Sequence, residues 1–144
     1  MYKPDHFKIQ EVVPKLFFHK YHAKYGIRLF GVFDNRTLWT GDRLRELYGK
    51  VLMNTWLWGG EHQYRGFRPR DCTIGAELSQ HRFGRAEDLF FIHTSAEKVR
   101  EDILANPNQY EFQYITAIEL NTFWLHFDCR NWDKKKHGIL TFKP

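Results

Sequence analysis

The residues whose types and spacing could do chemistry sit in two short segments. In SQHRFGRAEDLFF, Ser79 to Phe91, His81 and Asp88 stand seven positions apart, with the small residues Gly84 and Ala86 between them. In FWLHFDCR, residues 123–130, strand alternation sends Trp124, His126, Asp128 and Arg130 to one face. Leu125, Phe127 and Cys129 go to the other, a plain core face. Each segment alone also reads as ordinary, the first as a polar loop feeding a core strand and the second as a mixed polar face. Together they offer two imidazoles and a carboxylate. Three N/O donors with a fourth position left for water is the ligand pattern of a catalytic zinc. Asp128, two residues beyond His126, has the chemistry of a carboxylate that orients a ligating imidazole. Gly84 and Ala86 would let backbone and substrate approach the ion closely.

Composition bounds what can carry such a site. The chain has 144 residues, the size of one domain with one core, and we read 1–144 as a single domain. Aromatic residues make up 17%, which supplies large side chains for a small core. No stretch approaches the roughly 18 apolar residues of a membrane span, so no membrane insertion is expected. The first residues, MYKPDHFKIQEVVP, lack the apolar run and small-residue cleavage site of a signal peptide. Synthesis in the cytoplasm is therefore expected, with any export by another route. Cys72 and Cys129 belong to no CxxC pair, which argues against a cysteine-type zinc site and leaves two free thiols as the default. The formal charge of +5 favours anionic partners. The basic residues are scattered, however, and no nucleic-acid motif accompanies them. The one tight run, Lys134 to Lys136, reads as a solvated turn between strands.

The elements that must position the site follow from pattern. Residues 7–25 read as short helices broken near Pro14, and TGDRLRELYGK as a helix capped by Thr40 and ended by Gly49. VLMNTWLW reads as a buried strand, and residues 58–80 as a long loop, a feature that is usually functional in a small domain. AEDLFFIH is a strand, and TSAEKVREDILANP a helix capped by Thr94 or Ser95. YITAIE, TFWLHFDCR and GILTFK are late strands. Helices first and strands later predict an α+β fold, with a small, mostly antiparallel sheet and helices packed on one side.

SQHRFGRAED follows the S-x-H-x-x-G-x-A-x-D signature of the zinc D-Ala-D-Ala carboxypeptidase family, and WLHFD follows its second signature, W-x-H-x-D, downstream in the expected order. The chain resembles the compact single-domain members, which include phage L-alanyl-D-glutamate endopeptidases. TWLWGGEHQYRGFRP looks like the arginine-bearing segment upstream of the first histidine, so the likeness runs nearly full length.

That resemblance implies a Hedgehog/D,D-peptidase-like fold with its metal cleft on the sheet. It implies Zn2+ on His81, Asp88 and His126, with Ser79 fixing the loop of the first ligand by a hydrogen bond. Arg65, sixteen residues before His81, is similar to the family's substrate or oxyanion clamp, with Arg68 as the alternative. Many members carry the general base three residues before the last histidine. Here that position is Phe123, and the base is expected at Glu119, shielded by Trp124, with Asp128 as fallback. The implied activity is that of a zinc metallopeptidase acting on peptidoglycan stem peptides, of phage or prophage origin and monomeric. The missing acid at 123 keeps an alternative open, a non-catalytic, metal-stabilised module that binds cell wall or a protein. His62 and His93 are further candidates of lesser weight.

Overall fold

The central strands of the sheet are buried on both faces. The computed structural model describes all residues 1–144. Five helices and five strands follow in the order α1 (Ile9–Val12), α2 (Lys15–Tyr25), α3 (Asn35–Tyr48), β1 (Val51–Leu52), β2 (Ala86–Phe91), α4 (Ala96–Ala105), β3 (Ala117–Glu119), β4 (Leu125–Asp128), α5 (Lys134–His137) and β5 (Leu140–Phe142). The sheet order is β1-β2-β4-β3-β5. Three pairings are antiparallel, and β5 joins β3 in parallel at the edge. The sheet is mostly antiparallel, as expected, and the parallel edge pairing makes it mixed. One face carries Leu89, Phe91, Ile118, Leu125 and Phe127, which share a single apolar cluster with Leu38 and Leu44 of α3 and Val99 and Ile103 of α4. Helix α4 is fixed by Ser95, whose side chain accepts from the Lys98 N–H, and by buried Arg100, which donates to the carbonyls of Thr122 and Trp124.

Several local expectations change. Helix α3 starts six residues earlier than its pattern indicates, because Asp34 is the cap and accepts from the Arg36 N–H. Thr40 lies inside the helix, buried, and donates to the Arg36 carbonyl at 2.7 Å. The strand expected over VLMNTWLW stops after Leu52. Buried Asn54 takes the chain out of the sheet: its N–H donates to the Glu11 carbonyl, its amide donates to the Val13 carbonyl, and its side-chain oxygen accepts from the Arg65 N–H. The lysine run forms the short helix α5 between β4 and β5, with Lys135 and Lys136 exposed. Lys134 Nζ donates to the carbonyls of Pro107, Phe112 and Gln113, so one of the three charges holds a loop.

Residues 59–79 do form an irregular loop, and its arginines pin it. Arg82 donates to the carbonyls of Arg70 and Cys72, and Arg68 Nε to that of Tyr64. Cys72 is half-buried, Cys129 is buried in the core, and both are free thiols. No helix is long and apolar enough to cross a membrane.

Glu87 breaks the apolar pattern of the core face. It is fully buried on β2 against Gly41, and neither carboxylate oxygen has a hydrogen-bond partner. Burial first, then the nearby charges of Asp42 and Asp88, push its carboxyl well above the usual range. The folded chain thus keeps a proton that the unfolded chain gives up above about pH 4.5. Stability from this group is full below that pH and falls as pH rises, by up to about 1.4 kcal/mol per unit. Glu87→Gln is expected to flatten the slope of unfolding free energy between pH 5 and 8 in metal-free protein. Parallel urea titrations at several pH values check this, and unchanged slopes would refute it.

Candidate metal centre

Strand register sets the centre. Asp88 of β2 lies directly opposite His126 of β4, and both point away from the helical layer. His81 arrives from a separate 3-10 turn, Gln80–Phe83, which ends at Gly84 in the left-handed region. All three residues are buried, and their donor atoms lie within 4.8 Å of one another, so the group could hold a metal ion.

Two of the three donor separations match a tetrahedral ion. Zinc–nitrogen bonds of 2.0–2.1 Å in a tetrahedron place neighbouring donors about 3.3 Å apart. His81 Nε2 is 3.3 Å from His126 Nδ1 and 3.2 Å from Asp88 Oδ1. The third edge, His126 Nδ1 to Asp88 Oδ1, is 2.7 Å, the length of a hydrogen bond. A proton on Nδ1 bridges that pair, and a metal would replace it.

The surroundings aim each ligand. The Gly66 carbonyl can only accept, so His81 Nδ1–H donates to it at 2.7 Å and Nε2 is left with its lone pair facing the centre. His126 Nε2 faces Asp128 Oδ2 at 3.5 Å, which directs Nδ1 inward. Arg130 holds Asp128 with both Nε and Nη2. Asp88 divides its oxygens: Oδ1 turns to the histidines and Oδ2 accepts from Arg68 at 3.2 Å. The Phe142 ring, on edge strand β5, stands 5.7 Å from the His126 ring and nearly perpendicular to it.

Electrostatics follow from this network. Burial raises the Asp88 carboxyl, but the two histidines more than reverse that and hold it far below the usual range. Burial also lowers His81, partly opposed by Asp88. For His126 burial pulls down, while Asp128 and Asp88 outweigh it and raise the imidazole to about 9. Asp128 is raised by burial and lowered by more through His126 and Arg130.

The other expected residues separate into distinct positions. Glu119 is half-buried at the end of β3. The register Ala117 to Asp128 and Ile118 to Phe127, carried one step further, sets Glu119 opposite His126 on the metal face. It makes no ion pair or side-chain hydrogen bond within the chain. Trp124 is half-buried and Phe123 is 73% exposed, and both precede β4. Arg65 is half-buried. Its carbonyl accepts from the Asp88 N–H at 2.8 Å, and its guanidinium makes no hydrogen bond within the chain. Burial lowers its pKa, with Asp88 partly offsetting. Arg68 is committed to Asp88 and Tyr64, which removes it as a free clamp.

One expectation needs correction. Ser79 makes no side-chain hydrogen bond; its carbonyl, accepting from the Arg82 N–H, shapes the turn instead. Asp128 is fully buried and engaged by Arg130 and His126, a position that orients the His126 ring, whereas Glu119 has no such partners. His62 and His93 are exposed, and neither belongs to the three-residue cluster.

The Gly66 carbonyl, Arg130 and Phe142 are supports that sequence reading did not find. Arg130 had a signal, since it shares a strand face with Asp128 two residues away. The other two reach the centre through tertiary contacts with no local mark. No protein-family model, curated protein or solved structure matches the chain.

Proposed function

We propose that the protein is a zinc-dependent metallopeptidase that hydrolyses an amide bond in peptidoglycan stem peptides, as a D,D-carboxypeptidase or an endolysin-type endopeptidase. The observation that carries this reading is the buried His81–Asp88–His126 group, assembled from the two signature segments with near-tetrahedral donor spacing. A zinc ion there would supply Lewis acidity, polarising the scissile carbonyl and making water acidic enough to ionise near neutral pH.

The chain's own residues do the rest. Glu119, on the metal face and free of other partners, takes the proton of the attacking water and returns it to the leaving amine. Arg65, with no hydrogen bond within the chain to satisfy its guanidinium, holds the oxygen on which negative charge develops. Asp128 and the Gly66 carbonyl keep the two imidazoles in register, so neither must reorient during the reaction.

The direct test is to incubate the zinc-loaded protein with purified peptidoglycan and look for released peptides by mass spectrometry. Release of stem-peptide fragments is expected. Retention on the wall without any product would favour the non-catalytic binding module, to which the exposed Phe123 points because it replaces an acid.

The base has its own test. Glu119→Gln is expected to keep fold and zinc while losing roughly 100-fold or more in turnover, the usual scale for a general base. Near-normal turnover in Glu119→Gln, together with an inactive but zinc-loaded Asp128→Asn, would transfer the role to Asp128.

A further inference from the structure

A second concave site lies away from the metal centre. The segment around Phe7, the end of α3, β1 and the Trp56–Trp58 turn enclose a cleft of about 650 Å3, and neither the metal cluster nor Arg65 lines it. That volume is in the range that holds small organic ligands. Lys8, Arg45 and Lys50 line it against Asp5 and Glu11. Glu11 is already occupied within the fold: its Oε2 accepts from the Lys8 N–H at 2.8 Å, and its Oε1 stands 3.5 Å from Arg45 Nη1.

Arg45 is the unusual member. Its guanidinium lies over the Phe7 ring, 5.1 Å from the centroid, and is flanked by Glu11. It is therefore held in place: its Nη1 is buried against Glu11 without a hydrogen bond, and its other donors make none within the chain. The side chain keeps a quarter of its surface exposed. A fixed planar fork with unused donors matches the oxygens of a carboxylate or phosphate. Lys8 and Lys50 are exposed at the same cleft and make no ion pair.

The remaining wall is aromatic. Trp58 lines the cleft with 57% of its surface exposed. The turn that carries it is fixed, because it closes on Gly59 in the left-handed region and the neighbouring Trp56 donates its indole N–H to the Val13 carbonyl at 2.9 Å. An exposed indole on a fixed turn offers a flat apolar face with a polar edge, suited to a ligand that is itself half apolar and half polar. The other ring at the cleft, Phe7, is buried beneath Arg45, so no second face is free to sandwich a base, which points to a sugar ring and away from a nucleotide.

We propose that this cleft binds an anionic saccharide, with the ring lying on Trp58 and its carboxylate or phosphate held by Arg45, Lys8 and Lys50. The site is independent of zinc and of hydrolysis, so its fate is separable from that of the peptidase reading.

The test is a 1H–15N NMR titration of the zinc-loaded full chain with glucuronate, glucose 6-phosphate, glucose, inorganic phosphate and AMP. Both anionic sugars should give saturable shifts at the Trp58 indole and the Lys50 amide, with the His81 and His126 signals unmoved. Neutral glucose and phosphate alone should each bind at least about tenfold more weakly, because each supplies half of the contact. Trp58→Ala and Lys50→Gln, both at exposed positions that leave the fold intact, should each weaken glucose 6-phosphate by about fivefold or more. The proposal is overturned if neither sugar saturates, if phosphate alone binds as well as glucose 6-phosphate, if AMP binds tighter than both sugars, or if Trp58→Ala leaves the affinity unchanged.

Discussion

The His81→Ala and His126→Ala proteins are expected to hold no zinc under conditions where the native chain holds about one ion. Three protein donors converge on one point, with the Gly66 carbonyl and Asp128 fixing the two rings, so the site is preformed and each ligand counts. Loss of an orienting partner usually costs about 10–100-fold in metal affinity, and loss of a ligand costs more. Asp128→Asn should fall in that lower range and keep measurable zinc. The graded series is read by metal analysis after dialysis against a buffered chelator. Full occupancy in either histidine variant would remove the assignment.

The same geometry gives a pH dependence with a definite sign. In the metal-free centre His126 holds its proton up to about pH 9, because Asp128 and Asp88 flank it. A metal must displace that proton from Nδ1. Below pH 9, affinity should therefore rise about tenfold for each unit of pH, and chelator competition at pH 6, 7 and 8 measures the slope. Metal bound to the folded state alone also adds stability, so chelation should lower the melting temperature, more at pH 8 than at pH 6.

How much of this was legible in the sequence divides by range of interaction. The metal residues were legible because their cues are local: residue type, spacing and strand alternation single out His81, Asp88 and His126, whereas the β2–β4 register that brings Asp88 to His126, 38 residues away, is a tertiary pairing. Strand alternation also separated Leu125, Phe127 and Cys129 from the metal face, and the structure buries all three in the core. The sheet's β1 was misjudged for the opposite reason. VLMNTWLW has strand composition, but Asn54 ties the backbone to Val13 and Arg65, contacts 41 and 11 residues away. Thr40 as a cap failed because Asp34, six residues earlier, offers the better acceptor and the helix extends back to it. Lys134 was illegible as an anchor, since the three carbonyls it holds lie 21 to 27 residues upstream. Arg68 and Arg65 look alike in sequence. Only the contact of Arg68 with Asp88 separates an arginine that supports a ligand from one with donors to spare.

Gly84→Ala is the substitution expected to damage the fold most, and Gly138→Ala is its control. Both glycines have a positive φ, +64° and +72°, where an L side chain is strained. At Gly138 an added Cβ meets nothing within 4 Å, so the cost is that of the backbone conformation alone, about 1–2 kcal/mol. At Gly84 the Cβ would overlap the Val32 carbonyl oxygen and approach Phe33 Cα to 2.7 Å. These are backbone atoms, and they cannot swing aside as a side chain can. The Gly84 carbonyl also accepts from the Asp34 N–H at 3.0 Å, which ties this point to the cap of α3. Adding overpacking to the backbone term gives about 2–5 kcal/mol. The damage should also reach the metal, because Gly84 ends the turn that carries His81 and leads directly into the strand that carries Asp88. Urea unfolding of the metal-free proteins and zinc affinity of the folded ones are the two readouts. Gly84→Ala is expected to lose on both, and Gly138→Ala on stability alone. Equal stability losses in the two variants would show that Val32 and Phe33 yield to the new methyl, and the close-approach argument would then fail.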